Sequence, residues 1–384
     1  MRNWLLPENI ADILPATARQ VETAKTAMLA RFRTYGYELV SPPLIEYADS
    51  LITEGDTALA RKTFKVDDQM SGRQLGVRAD ITPQVARIDA HLLSERRGTT
   101  RLCYAGSVLH TLPESVMRSR EPLQVGAELY GCADLAADQE VIELMLAALR
   151  GAGLSALTLD LGHAGVFRAL AEAAQLSTEL TSELFNALQS KDSAGIQDLV
   201  QTVPEPYRTA LLTLPTLYGA DALQRAQRDL PDLPPIRQAL ADLAAVAAAL
   251  PAGIQVSYDL AELRGTLYHT GLLFAAYAEG WSDAVARGGR YDDVGRKFGR
   301  ARPATGFSLD LRDLIRILPQ NPAALAIRVA APHAAASREA VAALRQAGEV
   351  VIVDYLNESP AALQCDRELI WQADAWCVVP CSPN

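Results

Sequence analysis

The short β-rich runs of this chain follow one another in hairpin order around helices, with no regular strand–helix–strand alternation. That order commits the chain to an α+β architecture built on a mainly antiparallel sheet flanked by helices. The first helix is predicted over Ala16–Arg33, where Val21, Ala24, Met28, Leu29 and Phe32 recur at helical spacing and Gly36 ends the run. YGYELVSPPLIEY follows as a strand broken by Pro42-Pro43. Proline cannot donate to a ladder, so this strand suits an edge or an interface. TFKVDD and GRQLGVRADIT read as two strands joined at Ser71-Gly72, and Pro83–Leu93 as a short helix. RLCYAGSVLH and EPLQVGAELYG are two further β runs around the polar loop Thr111–Glu121; Ala136–Ala152 is helical and ALTLDLG is another strand.

From about Ala164 to Leu250 the chain turns Ala/Leu/Gln-rich and helical, broken by Pro204, Pro206, Pro215 and Pro231. Strands return in IQVSYDL, GLLFAAYAEG and ARGGRYDD, and ATGFSLDLRDLIRIL leads a strand into a helix. Beyond Pro319 and Pro322 the pattern is strand–helix–strand (Ala326–Ala331, Ser337–Ala347, Val350–Tyr355) with one further helix and strand. The expected organisation is therefore a core in two parts, 1–163 and 251–318, a helical insertion over 164–250, and a small C-terminal αβ appendage over 323–384.

Composition excludes several classes. At 384 residues, 49% hydrophobic and 21% charged, the chain holds enough apolar material for two or three domains and is not a disordered one. No apolar run reaches the ~20 residues that span a bilayer. The opening Met1-Arg2-Asn3-Trp4, with Pro7 and Glu8 close behind, develops no signal core, so a soluble, cytoplasmic protein is expected. The five cysteines are scattered without a C-x-x-C pair, and no two of the five histidines stand at i, i+4. Neither a metal centre nor a cofactor is expected. With 36 basic against 46 acidic side chains, the net charge of −10 argues against a broad nucleic-acid footprint. No phosphate-cradling glycine loop or nucleophile elbow is present.

Polar residues inside strand patterns carry the positive signal. VRADIT places Arg78, Asp80 and Thr82 on one strand face, and LQVGAE places Gln124, Gly126 and Glu128 on another. LRGTLYHTG offers Arg264, Tyr268 and His269; ARGGRYDD offers Arg287, Arg290, Tyr291 and Asp292. A solvated sheet face, a surface ion pair or a hairpin turn accounts for any one of these alone. Together they suit a zwitterion, with carboxylates for an ammonium group and arginine for a carboxylate in a forked pair. The expected ligand class is a free amino acid.

From about Leu6 to Leu318 these segments, in this order, resemble the catalytic core of histidyl-tRNA synthetase, a class II aminoacyl-tRNA synthetase. YGYELVSPPLIEY resembles the first motif of that class, which forms its dimer interface, and LGVRADIT resembles the L-R-P-E-G-T segment. The stretch from YAGSVLH to GAELYG resembles the second motif through H-Q-x-G-x-E. LRGTLYHTG resembles R-G-L-D-Y-Y-x-x-T, GGRYDD resembles A-G-G-R-Y-D, and PATGFSLDLRDL resembles the third motif. The resemblance implies a homodimer and a histidine pocket made by Asp80, standing where the family has Glu, with Thr82, Gln124, Glu128, Arg264, Tyr268, His269 and Tyr291. His269 replaces the second aromatic of the Y-Y pair, and Leu267 its neighbouring Asp.

Two departures bear on activity. The second-motif arginine that holds ATP in that class is His110 here, and the third-motif arginine is Asp313. A charge-assisted hydrogen bond contributes on the order of 1.5–3 kcal/mol. Losing two removes at least ~3–6 kcal/mol, roughly a hundredfold to ten-thousandfold in rate, so adenylation is expected to be lost. From Asn321 onward, four Arg and no Lys face seven acids, a net charge of −3 that makes a poor surface for tRNA phosphates.

A synthetase-like chain that keeps the amino-acid pocket and lacks the ATP arginines resembles the regulatory subunit of ATP phosphoribosyltransferase. That resemblance implies a subunit without chemistry of its own, in a hetero-oligomer with the short-form catalytic subunit, which joins ATP to phosphoribosyl pyrophosphate at the first step of histidine biosynthesis. It implies free histidine as feedback effector, and neither tRNA nor membrane as partner. An active histidyl-tRNA synthetase and a paralogue that transfers an amino acid to a protein are the alternatives. Both require adenylate formation, which separates them from the regulatory reading.

Overall fold

Pro15 opens the first helix, Pro15–Thr34, at a position where its missing N–H costs nothing, and Val21, Ala24, Met28 and Phe32 bury one stripe of it. The structure, a computed structural model, describes residues 5–52, 57–115, 118–262, 269–319 and 325–381. Two compact units are present, Met1–Pro319 and Gln320–Asn384.

In the first unit the strands are β1 (Glu38–Leu39), β2 (Ile45–Tyr47), β3 (Phe64–Asp67), β4 (Gln74–Val77), β5 (Thr100–Ser107), β6 (Leu123–Tyr130), β7 (Leu157–His163), β8 (Ile254–Tyr258), β9 (Leu272–Ala278), β10 (Ala286–Arg290) and β11 (Ala304–Asp310). β2, β4 and β3 form a small antiparallel sheet. The others form an eight-stranded sheet in the order β1-β5-β6-β11-β10-β9-β7-β8. Its interior is antiparallel, while the end pairs β1–β5 and β7–β8 are parallel. Pro42-Pro43 separates β1 from β2, so the strand broken by prolines divides between the two sheets.

Alternation along β6 decides what each face does. Val125, Ala127 and Leu129 bury against the helices Pro15–Thr34 and Leu135–Gly151, where Phe32 meets Phe307 of β11 edge-on at 5.7 Å. Gln124, Gly126 and Glu128 point to the other face, opposite Asp310, Ser308 and Gly306 of β11. Helices between Ala164 and Ala249 add Leu170, Leu184, Leu211, Leu240 and Val246 to the same apolar core.

The second unit is a four-stranded sheet of β12 (Ala326–Ala330), β13 (Val351–Asp354), β14 (Cys365–Gln372) and β15 (Ala375–Pro380), in the order β13-β12-β14-β15. The helix Arg338–Gln346 packs its Val341 with Ile327, Val329, Val351 and Leu369. The expected last helix is corrected here. Residues Pro360–Gln364 form turns, and β14 pairs with β15 across Ala373-Asp374, whose φ angles of 51° and 58° make a two-residue hairpin turn. All five cysteines are free, and among the described residues no helix is long and apolar enough to cross a membrane.

Candidate functional site

VRADIT does not continue as a strand. β4 ends at Val77, and Thr82 opens the helix Thr82–Arg87. The intervening residues are held by side chains: Arg78 donates from Nε to the Ser107 carbonyl at 2.9 Å and from Nη1 to the Pro42 carbonyl at 2.8 Å. Arg78 is therefore a brace for three segments, and its partners are carbonyl oxygens. Asp80 Oδ1 accepts from the Thr82 backbone N–H at 3.0 Å, which brings Thr82 round to face β6. The strand-face expectation fails there because local side-chain to backbone bonds compete with the ladder.

β6 supplies the rest of the floor. Gln124 Nε2 donates to Asp80 Oδ1 at 2.7 Å, while its Oε1 accepts from the Ile81 N–H at 2.8 Å, so Gln124 fixes Asp80 from two directions. Glu128, 1% exposed, takes three hydroxyls: Thr82 and Tyr104 each donate to Oε1 at 3.1 Å, and Tyr291 donates to Oε2. Burial pushes its carboxyl up to about 8. His269 stands edge-on to the Tyr291 ring with centroids 6.4 Å apart. Asp80, Thr82, Glu128, His269 and Tyr291 thus line one cavity of about 430 Å³. Arg264 and Tyr268 lie outside the described residues.

A second cavity of about 280 Å³ adjoins it, lined by Asp80, Gln124, His110, Arg118, Asp310 and Asp313 among others. Lys62, Asp80, Glu114, Arg287 and Ser308 line both, so the two form one cleft. Its second end is electrostatically closed on itself. His110, 5% exposed, bonds through Nε2 to the Ala79 carbonyl at 3.0 Å, and burial keeps the ring below its ordinary value, hence neutral. Asp313, 7% exposed, lies 3.3 Å from Arg118 Nε, and burial pushes its carboxyl up. Arg118 also donates to Glu114 at 2.8 Å and to Asp283 at 2.7 Å. Burial alone would raise Glu114, but Lys62 at 2.6 Å and Arg118 hold it down at about 2. Arg312 turns to Glu121 at 3.1 Å, and Arg287 pairs with Asp283. Each of these cations already faces a carboxylate. Burying a phosphate here would break pairs before making new ones.

Arg118, Glu114 and Asp283 are the residues that sequence reading missed. They come from a polar loop and a turn without periodicity, and nothing but their charge marks them. Arg290, singled out with Tyr291, serves the fold: it bonds Asp138 at 2.6 Å and the carbonyls of Cys132 and Asp134.

A largely antiparallel sheet with helices on one face and a two-part cleft on the other defines a synthetase-like core; residues 9–314 match the family described as Histidyl-tRNA synthetase. Residues 323–379 match the ATP phosphoribosyltransferase subunit HisZ C-terminal domain. The chain is 65% identical over 381 residues to the ATP phosphoribosyltransferase regulatory subunit of Chromobacterium violaceum, covering 99% of this chain and 100% of that one. It is 65% identical over 370 residues to the protein of the same name from Laribacter hongkongensis, covering 96% of each. The crystal structure of an ATP phosphoribosyltransferase regulatory subunit/histidyl-tRNA synthetase from Bacillus halodurans matches with a TM-score of 0.81 at 27% identity over 94% of each chain. The chain belongs to the ATP phosphoribosyltransferase regulatory subunit family.

Proposed function

We propose that this chain acts without chemistry of its own, as the activating and histidine-responsive subunit of a cytoplasmic complex with a short-form ATP phosphoribosyltransferase catalytic subunit. One observation carries the reading: the cleft's two ends differ in chemistry. At one end Asp80, fixed from behind by Gln124, stands with Thr82 and Glu128 within reach of a small zwitterion. At the other, Arg118 is enclosed by Glu114, Asp283 and Asp313 where a triphosphate would need free cations. Free histidine fits the first end. Its ammonium would meet Asp80, Arg264 would take its carboxylate, and His269 would exchange a hydrogen bond with its imidazole. The chain would dimerise with itself and leave tRNA unbound. Histidine here and turnover on the partner would be coupled by a free energy of ~1–3 kcal/mol.

Mixing the purified chain with the short-form catalytic subunit is expected to raise turnover above that of the catalytic subunit alone. Equal turnover, or histidine-dependent ATP–pyrophosphate exchange by this chain alone, refutes the reading and in the second case restores the synthetase. For the pocket, calorimetry should find histidine bound by the wild type and weakened about tenfold or more by Asp80→Asn and by Arg264→Ala, since each removes a charge-assisted bond. Unchanged affinity in either variant removes that residue from the pocket.

A further inference from the structure

We infer that Glu128 selects the charge of the ligand that the cleft accepts, its carboxyl releasing one proton to solvent when a cationic group enters the cavity it shares with Asp80. This rests on the histidine reading of the pocket. The backbone is shaped around this carboxyl: a Cβ on Gly306, directly across on β11, would overlap Glu128 Oε2, and one on Gly126 would overlap the Tyr104 hydroxyl. Both carboxyl oxygens are held, one by Thr82 from its helix and Tyr104 from β5, the other by Tyr291 just past β10. Burial opposes its ionisation most strongly; the hydroxyls of Tyr291, Tyr104 and Thr82 favour the charged form without offsetting it, and Asp80 adds to the opposition, while Lys62, Arg287, Glu114, Asp160, Glu262, Asp283 and His269 line the same cavity. Without ligand at neutral pH the carboxyl therefore keeps its proton.

A ligand ammonium in the same cavity reverses the balance, because an opposite charge close by favours the ionised form. The tyrosines do not compete for this role. Burial and the adjacent Glu128 raise both well above their ordinary range, so they stay protonated and donate to the carboxylate that forms. The released proton passes to buffer, and ligand and protein exchange no other atom. The cleft thereby discriminates by charge, favouring a cationic amine over a neutral molecule of equal size.

Calorimetry of histidine binding to the full chain at pH 7.2, in phosphate and in Tris, reads the proton count from the difference in heat. The wild type is expected to release close to one proton more than Glu128→Gln. Between pH 7 and 8, where free imidazole is already mostly neutral and the ammonium still charged, wild-type affinity should rise about fivefold. Equal proton counts overturn the inference and leave the pocket intact; absence of histidine binding by the wild type overturns both. Should Glu128→Gln fail to fold, the wild-type affinity between pH 7 and 8 decides alone, a flat profile overturning the inference.

Discussion

An Arg290→Met chain is expected to be about 3–5 kcal/mol less stable than wild type, the cost of leaving a buried charge without its partner. The side chains of Arg290 and Asp138 are 10% and 1% exposed and meet at 2.6 Å, with a second bond from Nε at 3.0 Å. Arg290 Nη1 also donates to the Cys132 carbonyl at 3.1 Å and Nη2 to the Asp134 carbonyl at 3.2 Å, stitching β10 to the start of the helix Leu135–Gly151. Methionine fills most of the volume and satisfies none of these acceptors. Burial raises the Asp138 carboxyl and Arg290 is the first group to oppose this, so removing the guanidinium leaves the acid with little to offset its desolvation. Replacing Asp138 with leucine in the same chain should recover much of the stability, since an apolar pair of similar volume removes the unpaired carboxylate. Urea unfolding measures both, with the midpoint moving and the slope unchanged. A single-variant loss below ~1 kcal/mol would show that water reaches the pair and that the clamp is weak.

The second large effect is in pH dependence. Glu128 titrates near 8 in the folded chain, from 4.5 for an ordinary glutamate, because burial disfavours its charge. Between those values the folded chain binds a proton that the unfolded chain has released. Stability therefore falls as pH rises from about 4.5 to 8 and levels off above. At ~1.36 kcal/mol per pH unit the full penalty is on the order of 3–5 kcal/mol. Glu128→Gln removes this slope, so its stability relative to wild type is expected to climb by that amount between pH 5 and pH 9. Asp160 and Asp310, both pushed up to about 6 by burial, slope in the same direction but remain in both proteins and cancel in the difference. Parallel unfolding curves for the two proteins across that range would mean that the carboxyl is solvated in the folded state.

Where the sequence was legible, the periodicity was strong and uninterrupted. The first helix and β6 followed their 3.6- and 2-residue patterns, and with β6 came Gln124 and Glu128 on one face. The Pro42-Pro43 break was also readable as an interruption, though not as the point where the chain passes from one sheet to another. VRADIT misled because Arg78 and Asp80 spend their hydrogen bonds on backbone groups, a local effect that overrides alternation. The acid cage around Arg118 was invisible for a different reason: Glu114, Asp283 and Asp313 converge from three distant segments, and only the sheet brings them together. The hairpin at Ala373-Asp374 lacked the glycine that normally marks such a turn.

Because β6 and β11 show one set of side chains to the cleft and the alternate set to the helices, the pocket's floor shares its stiffness with the apolar core. Neither strand can shift toward a guest without dragging Val125, Ala127 and Phe307 out of their seats. Adjustment to an occupant falls instead to the rim, to Glu114 and Arg118 and to Asp283 on the turn before β10. A signal leaving this cleft must therefore start at its edges.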